Sequence, residues 1–145
     1  MKNILKAAAP VLFSLCLAAV CAPWLGAQIT NQIRAHVDHS FIIGNKTLPP
    51  GDYTFRMEGD TNQGVIVVQN GRGDNVEQFA VRQSVDSHTP RHTELVFHKY
   101  GNTEFLTKIY EGGNKDGVAV AEISKHEAAL MNGGQHGMEH TEEQH

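Results

Sequence analysis

Residues 94–110 of the chain read ELVFHKYGNTEFLTKIY. Two runs of mostly aromatic, aliphatic and β-branched residues, Glu94 to Tyr100 and Thr103 to Tyr110, flank the dipeptide Gly101-Asn102. Glycine at the first position of a two-residue loop supplies the positive φ that a primed hairpin turn requires. This stretch therefore predicts a β-hairpin, and with it a fold built from antiparallel strands.

The central chain repeats the same rhythm of short apolar runs separated by Gly, Pro, Asn and Asp. Tyr53, Phe55 and Met57 alternate with polar residues, which gives one strand a single buried face. Residues 65–68 are apolar at every position, as is typical of a central strand covered on both faces. We predict an all-β fold, either an antiparallel β-sandwich or a partly open barrel, of about six to eight strands.

The C-terminal region loses this rhythm. Ser124 is followed three residues later by Glu127, a match to the capping box that begins many helices. A short terminal helix is therefore predicted from Lys125 to Met131. Residues 132–145 consist largely of Gly, His, Glu and Gln and offer little apolar surface for burial, so we predict a disordered tail.

The N-terminal segment has the pattern of a cleavable secretory signal. Lys2 and Lys6 form a basic start, and residues 7–20 form an apolar run that is too short for a membrane span of roughly 20 residues. Cleavage after Ala27 is favoured, and cleavage after Ala22 is the alternative. The protein is thus expected to be periplasmic or extracellular, with no transmembrane segment in the mature chain.

The predicted organisation has three parts: a signal peptide at 1–27, a single β-domain with a terminal helix at 28–131, and the His-rich tail at 132–145. Both cysteines, Cys16 and Cys21, lie in the predicted signal, so a disulfide or thiolate ligand is not expected in the mature protein. The whole chain has 12 Lys and Arg against 16 Asp and Glu. Its basic residues form no stripe, which argues against a nucleic-acid partner.

Two stretches resemble a known group of proteins. Residues 41–54 read FIIGNKTLPPGDYT, and residues 95–106 read LVFHKYGNTEFL. They resemble the F-x-V-G-x-K-x-L-P-A-G-x-Y stretch and the F-x-K-Y-G hairpin of a group of small exported bacterial β-domain proteins of unknown function. The resemblance implies a compact β-domain with a charged terminal helix and carries over no catalytic residue or ligand. Pro50 stands where the group usually has Ala, and the His-rich tail is a second departure.

Nine histidines are the main candidates for chemistry, because neutral imidazole commonly binds zinc, copper and nickel. In the tail, His136, His140 and His145 are the candidate metal ligands, and binding through a flexible segment would be weak and unselective. A merely soluble polar tail is the alternative. Spacing alone does not force the other histidines to converge on a metal, and they are expected to be exposed or satisfied by hydrogen bonds: His36, His39, His88, His92 and His98.

No catalytic signature is complete. His126-Glu127 begins the H-E-x-x-H zinc motif, but Leu130 occupies the position of the second histidine. Ser84, Asp86 and His88 have the residue types of a catalytic triad, but one extended segment cannot arrange them as one.

We therefore predict an exported, non-enzymatic binding or envelope-associated structural module for a protein, peptide or glycan partner. Metal binding by the tail is one alternative. A small hydrolase is another, and it would need a polar pocket that brings His98 or His92 to a serine or a carboxylate.

Overall fold

The computed structural model describes residues 32–145, so the predicted signal peptide lies outside the described residues. The described chain is mostly β-structure with one short helix near its C-terminal end, and the predicted all-β fold class is confirmed. The strands are β1 (Gln32–Val37), β2 (Phe41–Ile43), β3 (Lys46–Leu48), β4 (Gly51–Glu58), β5 (Val65–Asn70), β6 (Asn75–Val85), β7 (Thr93–Tyr100), β8 (Thr103–Tyr110), β9 (Asp116–Val120) and β10 (Met138–Gln144), and the helix α1 is Lys125–Asn132.

The strands form one continuous sheet with two arms that share β6. The first arm has the order β1-β4-β5-β6, and the second continues as β6-β9-β8-β7-β10. The first half of β6 pairs with β5, and its second half, from Val81 onward, pairs with β9. The sheet is not closed into a barrel. It is also mixed rather than purely antiparallel, because Ile42 of β2 pairs in parallel with Phe105 of β8.

The core lies between the inner faces of the two arms. Phe55 and Val68 of the first arm belong to the same buried cluster as Phe97 of the second arm. Phe41, the first residue of β2, packs edge-to-face on Tyr53 and Phe97, with ring centroids 5.2 and 5.8 Å away. This packing matches the alternation seen in the sequence, because Tyr53 and Phe55 are buried and Met57, two positions further along β4, is partly buried.

The predicted hairpin is confirmed as β7 and β8. Tyr100 pairs with Thr103 across the turn, and Gly101 has the positive φ of 61° that the sequence pattern requires. The predicted terminal helix is confirmed as α1, and the Ser124 side chain accepts a hydrogen bond from the Glu127 backbone N–H. This helix is too short and too polar to cross a membrane, and no other helix occurs in residues 32–145.

The C-terminal tail corrects the sequence prediction. Instead of a disordered segment, it contains β10, which pairs antiparallel with β7 over seven residues from Met138 to Gln144. Composition indicated disorder because this segment has little apolar surface. The backbone of β10 nevertheless forms hydrogen bonds with the edge of β7. The side chain of His140 contacts Glu104, and the side chain of Glu142 contacts His39. With β10 and the three-residue strands β2 and β3, the described chain has ten strands rather than six to eight.

The aromatic core makes a first prediction. Phe97 is fully buried, and its replacement by alanine should lower the free energy of unfolding by about 3–5 kcal/mol through lost burial and the cavity left behind. Urea denaturation of Phe97→Ala against the wild type measures the change. Val85→Ala is the control, because Val85 is 58% exposed and should change stability by no more than about 0.5 kcal/mol.

A second prediction concerns the entry into β10. A Cβ atom on Gly137 would lie 2.6 Å from the Tyr100 ring, which is buried beneath α1. Gly137→Ala should therefore weaken the docking of β10 and speed hydrogen exchange of its backbone amides by about tenfold or more. Gly133→Ala is the matched control, since Gly133 has a φ of −75° and an added Cβ there meets nothing closer than 3.4 Å. Equal protection of β10 in both variants would contradict this account.

Candidate metal centre

The three tail histidines predicted as metal ligands do not lie together. His136 is exposed in the connection between α1 and β10, and His140 is half-buried on the inner side of β10. His145 follows β10, and its ring packs on His92 with a centroid distance of 4.8 Å. Residues five apart in an extended strand are separated by about 16 Å and point to opposite faces. One ion therefore cannot bind all three in this arrangement.

Polar side chains converge instead where the β1–β2 connection meets β10. We call this set the polar seam, and its members are Asp38, His39, Glu104, His140 and Glu142. The alternation of β10 explains the contribution of the tail, because even-numbered residues from His140 onward are half-buried and odd-numbered ones are exposed.

His39 is the centre of the polar seam. Its Nδ1 lies 3.0 Å from Glu142 Oε1 and 3.1 Å from Asp38 Oδ1. Its Nε2 lies 3.1 Å from Glu104 Oε2. The side chains of His39, Glu142 and Glu104 are 23%, 17% and 6% exposed, so most of the seam is shielded from water. Ligand atoms of Asp38, His39 and Glu142 all lie within 4.8 Å of one another.

The hydrogen bonds of His39 leave one of its own ring nitrogens without a partner. Its buried Nε2 is close to Glu104, but the angle is not that of a hydrogen bond, so this atom has no hydrogen-bond partner. A neutral imidazole has one N–H, whereas three carboxylates surround this ring. Either a second proton on the ring or a bound cation balances such a cluster.

Glu104 is held as an anion at the inner end of the seam. Burial would raise the pKa of its carboxyl, but hydrogen bonds from Lys99 Nζ at 2.7 Å and His140 Nδ1 at 2.8 Å outweigh burial and keep the pKa below its ordinary value. Burial instead raises the pKa of Glu142; His39 opposes this effect, and the neighbouring carboxylate of Asp38 adds to it. Negative charge on Glu142 is thus costly without a compensating cation.

A third prediction follows from Glu104. Because its folded-state pKa is lowered, its contribution to stability is present above about pH 4.5 and is lost as the pH falls further. Glu104→Gln should lower the free energy of unfolding by about 1–3 kcal/mol at pH 7, and the difference from the wild type should shrink in acid. Urea denaturation at several pH values measures both effects. Glu58→Gln removes an exposed carboxylate and should be nearly neutral throughout; a Glu104 effect that is constant with pH would contradict the assignment.

A second polar region lies in a cleft of about 140 Å³ between α1 and the outer face of β8 and β9. Here His98 Nδ1 lies 2.9 Å from Glu127 Oε1, and the Tyr100 hydroxyl donates to the same oxygen at 3.3 Å. Burial, with the negative charge of Glu127 next, raises the pKa of Tyr100. The Glu127 carboxylate thus links α1 to the hairpin, a role that the capping-box pattern did not predict.

The cleft brings a histidine to a carboxylate, as the hydrolase alternative requires, but the constellation is incomplete. Ser124 also lines the cleft, and its hydroxyl accepts from the Glu127 backbone N–H. No hydrogen bond in residues 32–145 joins His98 to a hydroxyl group. The cleft is also smaller than the roughly 300 Å³ of a typical ligand pocket. Ser84 bonds the Tyr110 hydroxyl at 2.8 Å, so the triad residue types in its segment are not assembled either.

Comparison with known proteins finds no matching family model, no matching curated protein and no matching solved structure. Sequence reasoning placed His140 and the carboxylate of Glu142 in a flexible metal-binding tail, and it missed Glu104. No local signal pointed to the strand or to Glu104, because residues 139–144 are polar at every position and show no period-two contrast.

Proposed function

We propose that this protein is an exported, non-enzymatic binding module and that its polar seam captures a divalent transition-metal ion. The observation that carries the proposal is the convergence of Asp38, His39 and Glu142, whose ligand atoms lie within 4.8 Å of one another. The three residues come from two chain segments about a hundred positions apart, so the fold and not local sequence assembles the set.

The donor set supports a zinc-like ion. One imidazole nitrogen with two carboxylate oxygens is a combination that zinc accepts, and nickel and copper also bind imidazole well. The seam has no thiolate, which argues against metals that require soft ligands. Asp38 is 81% exposed, so the site opens to solvent on its side, where an ion would enter and water would complete its coordination.

The groups behind His39 support the same reading. An imidazole that binds a metal through one nitrogen usually donates its other N–H to a carboxylate, which orients the ring and makes it a better ligand. Nδ1 of His39 faces Asp38 and Glu142, and its Nε2 lies 3.1 Å from buried Glu104 at an angle that the ring would have to correct by rotating when it binds a metal. Glu104 is itself fixed by Lys99 and His140. This arrangement supports a positioned ligand rather than a flexible His-rich tail.

The wider expectation of a protein, peptide or glycan partner is less well supported by geometry. The cleft beneath α1 is small, and charged side chains of both signs, such as Arg82 and Glu122, line it. The polar seam has a more defined chemistry. Export, proposed from residues 1–27, would place the seam in a compartment where metal ions reach the protein without competition from cytosolic thiols.

The fourth prediction tests the seam by calorimetry with Zn²⁺ on the full chain expressed with its N-terminal segment. Glu142→Gln keeps the side-chain shape but removes one charged ligand, and we expect it to weaken binding at the seam by about tenfold or more. Glu139→Gln is the matched control, since it makes the same charge change on the exposed face of the same strand. It should bind as the wild type does. The mass of the purified protein reports whether residues 1–27 have been removed.

Measurements of unfolding with and without zinc distinguish a carboxylate that binds the metal from one that only stabilises the fold. Because charge on Glu142 is costly, Glu142→Gln should unfold at the same or higher urea concentration than the wild type without metal, yet lose the part of the zinc stabilisation that binding at the seam supplies. For the wild type, zinc at a hundred times its dissociation constant should add about 2.7 kcal/mol. If His136→Gln and His145→Gln weaken binding while Glu142→Gln does not, the tail histidines bind the metal and the seam proposal is wrong.

A further inference from the structure

The connection between β6 and β7 carries a second cluster that has no part in the polar seam. Asp86 and His88 lie in this connection, and Glu94 lies near the start of β7. Their ligand atoms lie within 4.8 Å of one another. The side chain of Glu94 lies on the outer face of β7. Successive side chains of a strand point to opposite faces, and the neighbouring Leu95 is fully buried in the core. The polar seam lies on the inner face of the pair formed by β7 and β10, so the two clusters are on opposite sides of the sheet.

Glu94 has an unusual environment for a carboxylate. Its side chain is only 9% exposed, and within residues 32–145 its carboxylate accepts no hydrogen bond. The nearest basic nitrogen is His88 Nε2, at 3.7 Å, which is too far for a hydrogen bond. Buried carboxylates are nearly always paired or bound to a metal, because an unpartnered buried charge is strongly unfavourable. Glu94 thus has only the distant His88 nitrogen as a partner, and a cation bound in the cluster would give this largely buried carboxylate a closer one.

The other two residues are held in place around it. Asp86 Oδ1 lies 2.8 Å from His88 Nδ1 and accepts the His88 backbone N–H at 3.2 Å. The backbone N–H of Asp86 donates to Lys115 at 2.9 Å, which fixes the start of the connection beside β9. The far end is fixed as well, because buried Pro90 accepts a hydrogen bond from Gly113 at 2.7 Å. The cluster is thus part of a tied loop.

Charge also favours a cation here. Asp86 and Glu94 contribute two negative charges, whereas His88 is neutral unless protonated. Glu143 of β10 is the register partner of Glu94 and adds a third carboxylate to the same face. The nearby cation Lys108 is engaged by Glu139 at 2.9 Å and feels the charge of Asp86 only at longer range.

We infer that Asp86, His88 and Glu94 form a second site for a divalent transition-metal ion, separate from the polar seam. His88 is 61% exposed and Asp86 is 24% exposed, so the ion would enter from solvent and meet the buried carboxylate at the base of the site. Two carboxylates with one imidazole match the ligand preferences of zinc, and of cobalt in its place. The inference does not rest on the seam, since the two clusters share no residue.

The fifth prediction is a stoichiometry measured by Zn²⁺ calorimetry on the full chain. The wild type should bind two equivalents, and the double variant His39→Gln, Glu142→Gln should keep one. Adding Glu94→Gln to that double variant should weaken the remaining binding by at least tenfold, while adding Glu58→Gln, an exposed carboxylate on the other arm, should not. His88→Gln serves as a second variant, because its exposed side chain can be changed without disturbing the core.

Cobalt gives an independent readout. The visible absorption of bound Co²⁺ in the double variant should disappear on Glu94→Gln or His88→Gln. Retention of that absorption, or of the second equivalent of zinc, in both variants would overturn the second site while leaving the seam intact. Loss of all binding in the seam double variant would equally overturn it. No binding to the wild type would overturn both proposals.

Discussion

The shared strand β6 is the constraint on which the two-armed sheet depends. It is eleven residues long, and its two halves make backbone ladders with different partners, β5 and then β9. Phe79 and Val81 lie on the same face of β6 and are both buried, so the apolar surface stays continuous from one arm to the other. The aromatic rings of Phe41 and Phe97 meet within that continuous interior. Without a strand common to both arms, their apolar faces would have no fixed relation to each other.

Local sequence predicted the elements whose backbone hydrogen bonds and caps come from residues close by in the chain. The β7–β8 hairpin depends on the glycine at position 101, and α1 depends on the Ser124 cap, so a short window contains the information for each. The strand β10 was not predictable in this way. Its backbone is satisfied by an edge more than thirty residues earlier in the chain, and its inner side chains bind polar groups rather than apolar ones. A composition rule that counts only apolar burial predicts disorder for such a segment.

Both clusters place an imidazole between carboxylates, and neither cluster could be predicted from the sequence without the fold. The fold brings His39, in the connection between β1 and β2, next to Glu142 of β10. The burial of Glu94 follows from its position on β7 and not from its neighbours in sequence. The histidine of the cleft has a different setting. His98 is paired with Glu127, which also receives the Tyr100 hydroxyl, and the three groups anchor α1 to the hairpin. Residue type alone does not distinguish these histidines; the charges and hydrogen bonds around each one do.

The make-up of β10 also bears on how two molecules behave when they meet. Among residues 32–145, β10 pairs only with β7, so its other edge carries backbone donors and acceptors without a strand partner, and such a row invites pairing with another sheet. Here the row belongs to a strand that carries Glu139, Glu142 and Glu143 within seven residues. Two such edges aligned side by side would bring glutamates close together, and like charges across adjacent strands repel. Repulsion between these glutamates would therefore oppose edge-to-edge pairing of two copies through β10.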